Sequence, residues 1–327
     1  MGGTDNIPLS NCLVWKVNTS FLQLYKDHTT RSSEQWDALF KQAHDMNIKY
    51  LIIQWSSYGS IPFYSQENSS SSLLTKVIKA AQKEQIKLII GTNYDPNYWA
   101  SLEGKEIQIQ EYLKRHYEQQ VQAIPKLISN INEVDPQGKT VTGWYLSDEI
   151  DDLNWQSESR RMMIKNYLEQ MIQLLKKEKP YWPINISTYS TGKTPYNQVA
   201  ELYKFLFNIK GLDKILFQDS IGTQKLTLRS LKAYLLAIRS QFSGNNQRFG
   251  IITELFTEDE NQRSFKSAPV DRVIRQLKIA EIFSDAKFTI FSFFPYIVSD
   301  KPDTRNSELY DFWQGQIHQC KPPSDIH

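Results

Sequence analysis

Two glutamates stand where an apolar, β-rich run of the sequence ends. Glu149 follows the run VTGWYLSD, and Glu254 follows RFGIIT. Glu254 has no cation beside it in the sequence, and a lone carboxylate at the end of an apolar strand is costly unless it is paired or used. Two carboxyl groups can cleave a glycosidic bond, one as general acid and one as nucleophile or base, with about 5 Å between them when configuration is retained.

Short β-rich runs and helical patterns alternate along the whole chain of 327 residues and would have to position these glutamates. The helical segments open on polar residues such as Ser32 and then space apolar side chains, such as Trp36 and Phe40, along one face. The predicted strands cover residues 12–18, 49–55, 87–95, 141–149, 183–189, 214–220, 248–256 and 287–296.

Eight consecutive βα units of about 40 residues each are typical of the (β/α)8 TIM barrel, an α/β fold with parallel strands and right-handed crossovers. An open, doubly wound sheet is the alternative architecture, but eight units with nothing left over favour the barrel. We find no linker that would split the chain, so we predict one domain over residues 1–327.

In such a barrel the active site lies at the C-terminal ends of the strands, where the βα loops converge. Glu149 and Glu254 would end strands four and seven and face each other across this mouth, whereas Lys16 and Asn18 would end strand one. The other side chains in these positions are mostly amides, which can bind hydroxyls, or aromatics, which can stack on sugar rings. We predict substrate contacts from Gln54, Trp55, Asn93, Tyr94, Trp99, Tyr145, Asp148, Trp155, Tyr189, Gln218, Asp219 and Tyr296.

The general acid has to be protonated near neutral pH, so its pKa must be raised by apolar walls or by the second carboxylate. Trp144, Tyr145 and Trp155 are close to Glu149 in the sequence and are predicted to form such walls. Asp219 would orient a catalytic group or bind a sugar, or else only hydrogen-bond the loop that follows it.

The segments GWYLSDEIDD, FQDSIG and ITELF resemble motifs of an uncharacterised bacterial family of cellulase-like (β/α)8 barrels, often thought to act on exopolysaccharides. More broadly, glutamates at the ends of strands four and seven resemble the retaining, cellulase-like glycoside hydrolase clan. The resemblance implies that Glu149 is the acid/base and Glu254 the nucleophile. It further implies a glycoside hydrolase acting within a polysaccharide chain, without a metal or organic cofactor. The alternative is a non-catalytic carbohydrate-binding barrel used in polysaccharide assembly or export.

The acidic run around Glu149 departs from the pattern of that clan. The strand-four glutamate of the clan commonly follows an asparagine that binds the sugar 2-hydroxyl, whereas Asp148 stands here and can accept but not donate that hydrogen bond. Asp151 and Asp152 are instead interpreted as leading into the next helix, where carboxylates near the N-terminus offset the helix dipole.

Other kinds of chemistry have little support in this sequence. The five histidines fall in predicted helices, a loop or the tail, which speaks against a histidine zinc site and against a Ser-His-Asp triad at the mouth. They are His28, His44, His116, His318 and His327. The STGKT segment lacks the first glycine of a phosphate loop because Ser187 stands there, and no GxGxxG follows a strand.

Charge and hydropathy restrict the partners and the compartment. The net charge of +2, without a long basic run, gives no electrostatic footprint for nucleic acid. We expect no membrane span, since no apolar run approaches the roughly 18 residues that one requires. We expect a monomer that is periplasmic or secreted, with any signal peptide absent from this chain. Cys12 and Cys320 lie near opposite ends of the sequence; a disulfide is possible, but two unpaired thiols are slightly favoured.

Overall fold

The computed structural model describes residues 12–65, 72–242, 246–284 and 287–320. His327 and most of the serine run near residue 70, which the sequence predicts as a loop, lie outside these segments.

Eight parallel strands close into a barrel, which confirms the predicted (β/α)8 fold. Each strand pairs with its neighbours in chain order, β1 pairs with β8, and the β5–β6 pairing completes the ring. The strands are β1 Val17–Leu22, β2 Tyr50–Ile53, β3 Lys87–Gly91, β4 Val141–Tyr145, β5 Ile184–Tyr189, β6 Lys214–Gln218, β7 Phe249–Glu254 and β8 Phe288–Phe291.

The eight main helices lie between and after these strands. Several begin on the polar residues expected from the sequence; for example, Ser32 Oγ accepts the amide of Gln35, and Thr227 caps its helix in the same way. The helices are α1 Ser33–Asp45, α2 Leu73–Glu84, α3 Glu106–Val134, α4 Glu158–Glu178, α5 Tyr196–Phe207, α6 Leu228–Arg239, α7 Val270–Phe283 and α8 Thr304–Gln319.

The first strand begins five residues later than the sequence predicts. Residues Leu13–Lys16 form a short 3-10 helix, and β1 runs through the polar stretch Asn-Thr-Ser. Ser20 is buried there, and its hydroxyl group keeps two hydrogen bonds. It donates to the Phe21 carbonyl at 2.9 Å and accepts the Phe293 amide at 3.0 Å. Lys16 and Asn18 therefore lie at the bottom of the barrel, and the prediction that they close β1 at the mouth is wrong.

Two apolar layers support the mouth. The larger one packs the helices against the outer surface of the barrel, and a smaller one fills the barrel interior with Phe21, Ile52, Tyr145, Leu216 and Ile252. Successive side chains of a strand point to opposite faces of the sheet, so neighbouring residues belong to different layers.

Three short pieces of sheet extend the rim above the strand ends. Residues Ser57–Tyr58 pair with Ile61–Pro62 and with Asn93–Tyr94, and Phe256–Asp259 forms a hairpin with Ser264–Ser267. The third piece, Ile150–Asp151, adds to the upper end of β5. These pieces turn the βα loops into ordered walls.

Cys12 and Cys320 form a disulfide with a Cα–Cα distance of 5.6 Å, so the expectation of two unpaired thiols is wrong. Closure of the barrel brings the segment before β1 next to the end of α8, across a sequence separation of 308 residues. Over the segments that the structure describes, no helix has both the length and the apolar character needed to cross a bilayer.

Candidate active site

Glu254 is the last residue of β7 and is almost wholly buried, with 2% of its surface exposed. Its Oε1 accepts the backbone amides of Gly222 and Thr223 at 3.0 and 3.3 Å. Burial, followed by the charge of Asp219, raises the pKa of Glu254 to about 8, while Lys225 and the two amides oppose the rise. The amides bind one carboxylate oxygen and define the direction of the other.

Asp219 follows the end of β6 and lies beside Glu254. Its Oδ1 accepts the amides of Ile221 and Glu254 at 3.2 and 3.4 Å, and its Oδ2 accepts Gln276 Nε2 at 2.7 Å. Burial raises the pKa of Asp219 to about 6 despite these donors. The negative charge of Asp219 thus opposes ionisation of Glu254.

The loop after β6 reaches Glu254 because a glycine permits close packing. A Cβ atom on Gly222 would lie 2.5 Å from the carbonyl oxygen of Phe256, so a larger residue would push the loop away from β7. The Gly222 carbonyl also accepts the amide of Glu258 at 2.9 Å.

Glu149 lies in the loop after β4 and is partly buried. Burial raises the pKa of Glu149 to about 7, against the opposing effects of the Lys225 charge and of a hydrogen bond from the Gln218 side chain. A carboxyl group that titrates near neutral pH is suited to donate and then accept a proton.

Lys225 is a mouth residue that sequence reasoning missed. Its Nζ lies 4.2 Å from the ring centroid of Tyr189, and its charge acts on both Glu149 and Glu254. Among the described residues, no carboxylate lies within 4 Å of this ammonium. Only the fold of the loop after β6 brings Lys225 to the two glutamates, and no sequence motif marks it.

Asp148 does not face the mouth, contrary to the prediction that it contacts substrate. It is fully buried between the barrel and the helices, where its two oxygens bind His116 of α3 and Tyr167 of α4 at 2.8 and 2.6 Å. His116 is therefore a buried, hydrogen-bonded helix residue, as the sequence indicates.

Asp151 and Asp152 do not cap a helix, because α4 begins only at Glu158 with Ser157 as its N-cap. Asp151 folds a tight turn by accepting the amides of Leu153 and Asn154 at 3.0 and 3.1 Å. Asp152 instead accepts the hydroxyl of Ser190 at 2.6 Å and so joins two mouth loops.

The three predicted amides differ in their availability. Gln218 hydrogen-bonds Glu149, and Asn93 Oδ1 accepts the hydroxyl of Ser56 at 3.0 Å. Gln54 is buried, and its Oε1 has no hydrogen-bond partner among the described residues. An unpartnered buried amide oxygen at a strand end is suited to accept a hydrogen bond from a ligand hydroxyl.

The aromatic wall is built around Trp55. This indole is buried and donates to the Leu24 carbonyl at 2.7 Å, so it supports the wall rather than exposing a face. The ring centroid of Tyr94 lies 5.0 Å from that of Trp55 and 5.4 Å from that of the more exposed Tyr58. Burial, then the Glu149 charge, raises the pKa of Tyr94 to about 12.

The remaining mouth aromatics lie on two sides. Trp99 is partly buried and has its ring 5.6 Å from that of Tyr189, whose pKa is raised by burial and by Asp151 and Glu149. Burial, Tyr25 and then Glu254 raise the pKa of Tyr296, so its side chain belongs to the wall near β7.

Of the three aromatics predicted to surround Glu149, two lie elsewhere and the third lies beneath it. Trp144 and Trp155 are fully buried in the outer layer, the former with its ring 5.1 Å from Trp182. Tyr145 points into the barrel and shares a 2.5 Å hydrogen bond with Ser187, so it lies beneath the glutamates as a floor. Trp144 and Tyr145 are adjacent in a strand and must face opposite layers. Apart from this floor, tyrosines, including Tyr94 and Tyr189, surround Glu149.

Within the described segments, no group of three or more histidine, cysteine, aspartate or glutamate side chains has an arrangement that could hold a metal ion.

A family model described as a domain of unknown function (DUF4434) matches residues 17–306. The uncharacterized protein YbcH of Escherichia coli K12 is 29% identical over 266 residues, which are 80% of this chain and 84% of that protein.

Solved structures with the same fold include several glycoside hydrolases. A protein of Bacteroides thetaiotaomicron, provisionally assigned as an alpha-L-fucosidase, has a TM-score of 0.74 and 18% identity over 97% of both chains. The intracellular xylanase of Thermoanaerobacterium saccharolyticum has a TM-score of 0.51 and 11% identity over 91% of this chain and 94% of its own. A GH18 chitinase of Pseudoalteromonas aurantia has a TM-score of 0.51 and 13% identity over 92% and 99%. These similarities establish the shared barrel fold.

Proposed function

This chain belongs to the DUF4434 family, and from that premise we propose that its barrel is a retaining glycoside hydrolase with Glu149 as acid/base and Glu254 as nucleophile. The observation that carries the proposal is the pair of carboxyl groups in the loop after β4 and at the end of β7, both within the field of Lys225, with the pKa of the proposed acid Glu149 raised to about 7. The fold shared with glycoside hydrolases supports it.

In the first step, the free Oε2 of Glu254 attacks the anomeric carbon while the glycosidic C–O bond breaks and Glu149 protonates the leaving oxygen. In the second step, Glu149 takes a proton from water, the water oxygen bonds to the anomeric carbon, and the bond to Glu254 breaks. The amides of Gly222 and Thr223 hold Oε1 throughout, so Glu254 keeps its orientation.

The substrate in this proposal is a bacterial exopolysaccharide that is cut within its chain by a monomeric enzyme. The wall around Trp55 and Tyr94 and the unpartnered Gln54 Oε1 support a sugar ligand. The Cys12–Cys320 disulfide supports a periplasmic or secreted location, because disulfides persist in oxidising compartments.

The test compares the parent with Glu149→Gln and Glu254→Gln on purified bacterial exopolysaccharides, with xylan as a further polysaccharide. We expect each variant to lose at least about 100-fold in kcat, because each lacks a group that acts in the transition state. Glu118→Gln, on the exposed face of α3, is the matched control and should behave as the parent.

Parent-like hydrolysis by both glutamine variants would refute the assignment. Retained polysaccharide binding with no hydrolysis by the parent would favour a non-catalytic carbohydrate-binding barrel instead. Labelling with a 2-deoxy-2-fluoro glycoside should modify Glu254, and a label on another residue would exclude it as nucleophile.

A further inference from the structure

We infer that Asp148, together with His116 and Tyr167, is a positioning device for Glu149. The inference rests on the proposed function, since it assigns a purpose to the residue before the proposed acid. In this arrangement Asp148 never touches substrate. It fixes the backbone from which Glu149 extends into the mouth.

Both carboxylate oxygens of Asp148 are engaged on the side away from the mouth. Oδ1 lies 2.8 Å from His116 Nε2, and Oδ2 accepts the Tyr167 hydroxyl at 2.6 Å. The side chains of Asp148 and His116 are 0% and 2% exposed. A buried carboxylate held by two side chains from two different helices cannot rotate without breaking one of these hydrogen bonds.

The ring of His116 is itself held in place. It stacks between Tyr112 and Tyr167, with ring centroids 5.5 and 5.7 Å away and interplanar angles of 10° and 20°. Its Nδ1 has no hydrogen-bond partner among the described residues, so Nε2 makes the contact that orients the ring. Burial by itself lowers the pKa of His116, but the charge of Asp148 and their hydrogen bond raise it overall.

A second anchor acts on Glu149 directly. The hydroxyl of the fully buried Tyr98 donates to the carbonyl oxygen of Glu149 at 2.9 Å. On the other side, Ile150 and Asp151 pair with the end of β5. The backbone around Glu149 is therefore fixed by the contacts of Asp148, by the hydrogen bond to the Glu149 carbonyl, and by the strand pairing of Ile150 and Asp151. Only the Glu149 side chain is left free to move toward Gln218 and the substrate.

Folding alone does not call for a carboxylate at this position. A buried charge is costly, and an apolar side chain of similar volume is often as stable. A fixed acid, by contrast, has a direct catalytic benefit, because a misplacement of about 1 Å can cost about 100-fold in rate. A sugar contact from Asp148 would require its carboxylate to leave both present partners.

The experiment uses Asp148→Ala, with Asp148→Asn as the conservative variant. Asp135→Ala is the matched control, because Asp135 is also buried and accepts the amides of Thr140 and Val141 at 2.9 and 2.8 Å, but at the bottom of β4. Crystal structures of all three variants report the Glu149 position without any substrate. We expect the Glu149 carboxyl to move by about 1 Å or more in Asp148→Ala and to stay in place in the other two.

The kinetic readout compares phenyl and 2,4-dinitrophenyl β-cellobiosides, because the dinitrophenolate leaves without protonation. Asp148→Ala should lose about 10- to 100-fold in kcat on the phenyl substrate, with little change in KM and a much smaller loss on the dinitrophenyl substrate. Asp148→Asn should recover part of the loss. Asp135→Ala should lower Tm, and any loss of kcat should be the same on the phenyl and the dinitrophenyl substrates.

An unmoved Glu149 carboxyl in Asp148→Ala, or equal losses on the two substrates, would overturn the inference. A higher KM with unchanged kcat would show that Asp148 binds sugar instead. Failure of the proposed function looks different, since the parent and Glu149→Gln would then behave alike. In that case the crystal structures still decide whether Asp148 positions Glu149.

Discussion

Asp219 and Glu254 end neighbouring strands, and one residue binds both of them. Gln276 Nε2 lies 2.7 Å from Asp219 Oδ2 and 3.0 Å from the carbonyl oxygen of Glu254. The bridge keeps a second carboxylate beside the proposed nucleophile and so opposes ionisation of Glu254. The protonation of Glu254, together with that of Glu149, determines the pH range in which the site can work.

We predict a narrow bell-shaped dependence of kcat/KM on pH. Catalysis requires Glu254 ionised and Glu149 protonated, and their pKa values are about 8 and about 7. Because Glu254 has the higher pKa, the required state is a minor species at every pH; below about 7 both groups are protonated, and above about 8 both are ionised, so activity should peak between these values and fall on each side. A pH profile at saturating and at low substrate concentrations tests this, and full activity at pH 5 would contradict it.

Asp219→Asn should shift the alkaline limb of that profile to lower pH and raise its maximum. The Asp219 charge raises the pKa of Glu254, so removing the charge lowers that pKa. Because Glu254 has the higher pKa of the two glutamates, the alkaline limb follows it, and a larger share of the protein then has Glu254 ionised while Glu149 is still protonated. Asp213→Asn removes a charge just before the opposite end of β6 and should leave the limb in place. A limb that stays put or moves upward in Asp219→Asn would show that this charge does not control Glu254.

Lys225→Met should move both limbs to higher pH. The ammonium lowers the pKa of both Glu149 and Glu254, so its loss raises both. Lys225→Arg keeps the charge and serves as the control, with both limbs expected near their parent positions. If the methionine variant shifts only one limb, the ammonium lowers the pKa of only one of the two glutamates.

Ile252→Ala should destabilise the barrel by about 2–5 kcal/mol, because it empties part of the small interior layer beneath the mouth. The exposed Ile282, on the outer face of α7, is the matched control, and Ile282→Ala should cost less than about 0.5 kcal/mol. Denaturant unfolding measures both changes. Similar costs at the two positions would mean that the interior layer relaxes into the space.

The order of elements was accessible from the sequence because each strand and helix carries a local pattern. Hydrophobic runs, serine and threonine caps and turn residues act over a few positions, so the eight βα units and the places of Glu149 and Glu254 could be predicted. The first strand was predicted five residues too early for the same reason. Its polar residues Asn18 to Ser20 resemble a turn, and only the long-range contact from Phe293 explains a buried serine.

Side-chain direction was decided by the tertiary structure. Trp144 and Tyr145 are adjacent aromatics of the same strand, yet one packs against Trp182 outside the barrel and the other lies inside it. Asp148 and Glu149 are likewise adjacent acids, and only the helices that supply His116 and Tyr167 separate their roles.

The sequence by itself determined the barrel and the segments that carry Glu149 and Glu254 to its mouth, because these depend on short-range periodicity. The tertiary structure decided the electrostatics of the mouth. Lys225, Gln276 and the Gly222 amide come from loops and helices remote from the glutamates in sequence. Nothing local predicts their approach, since it arises only when the strands close and their loops converge on one point.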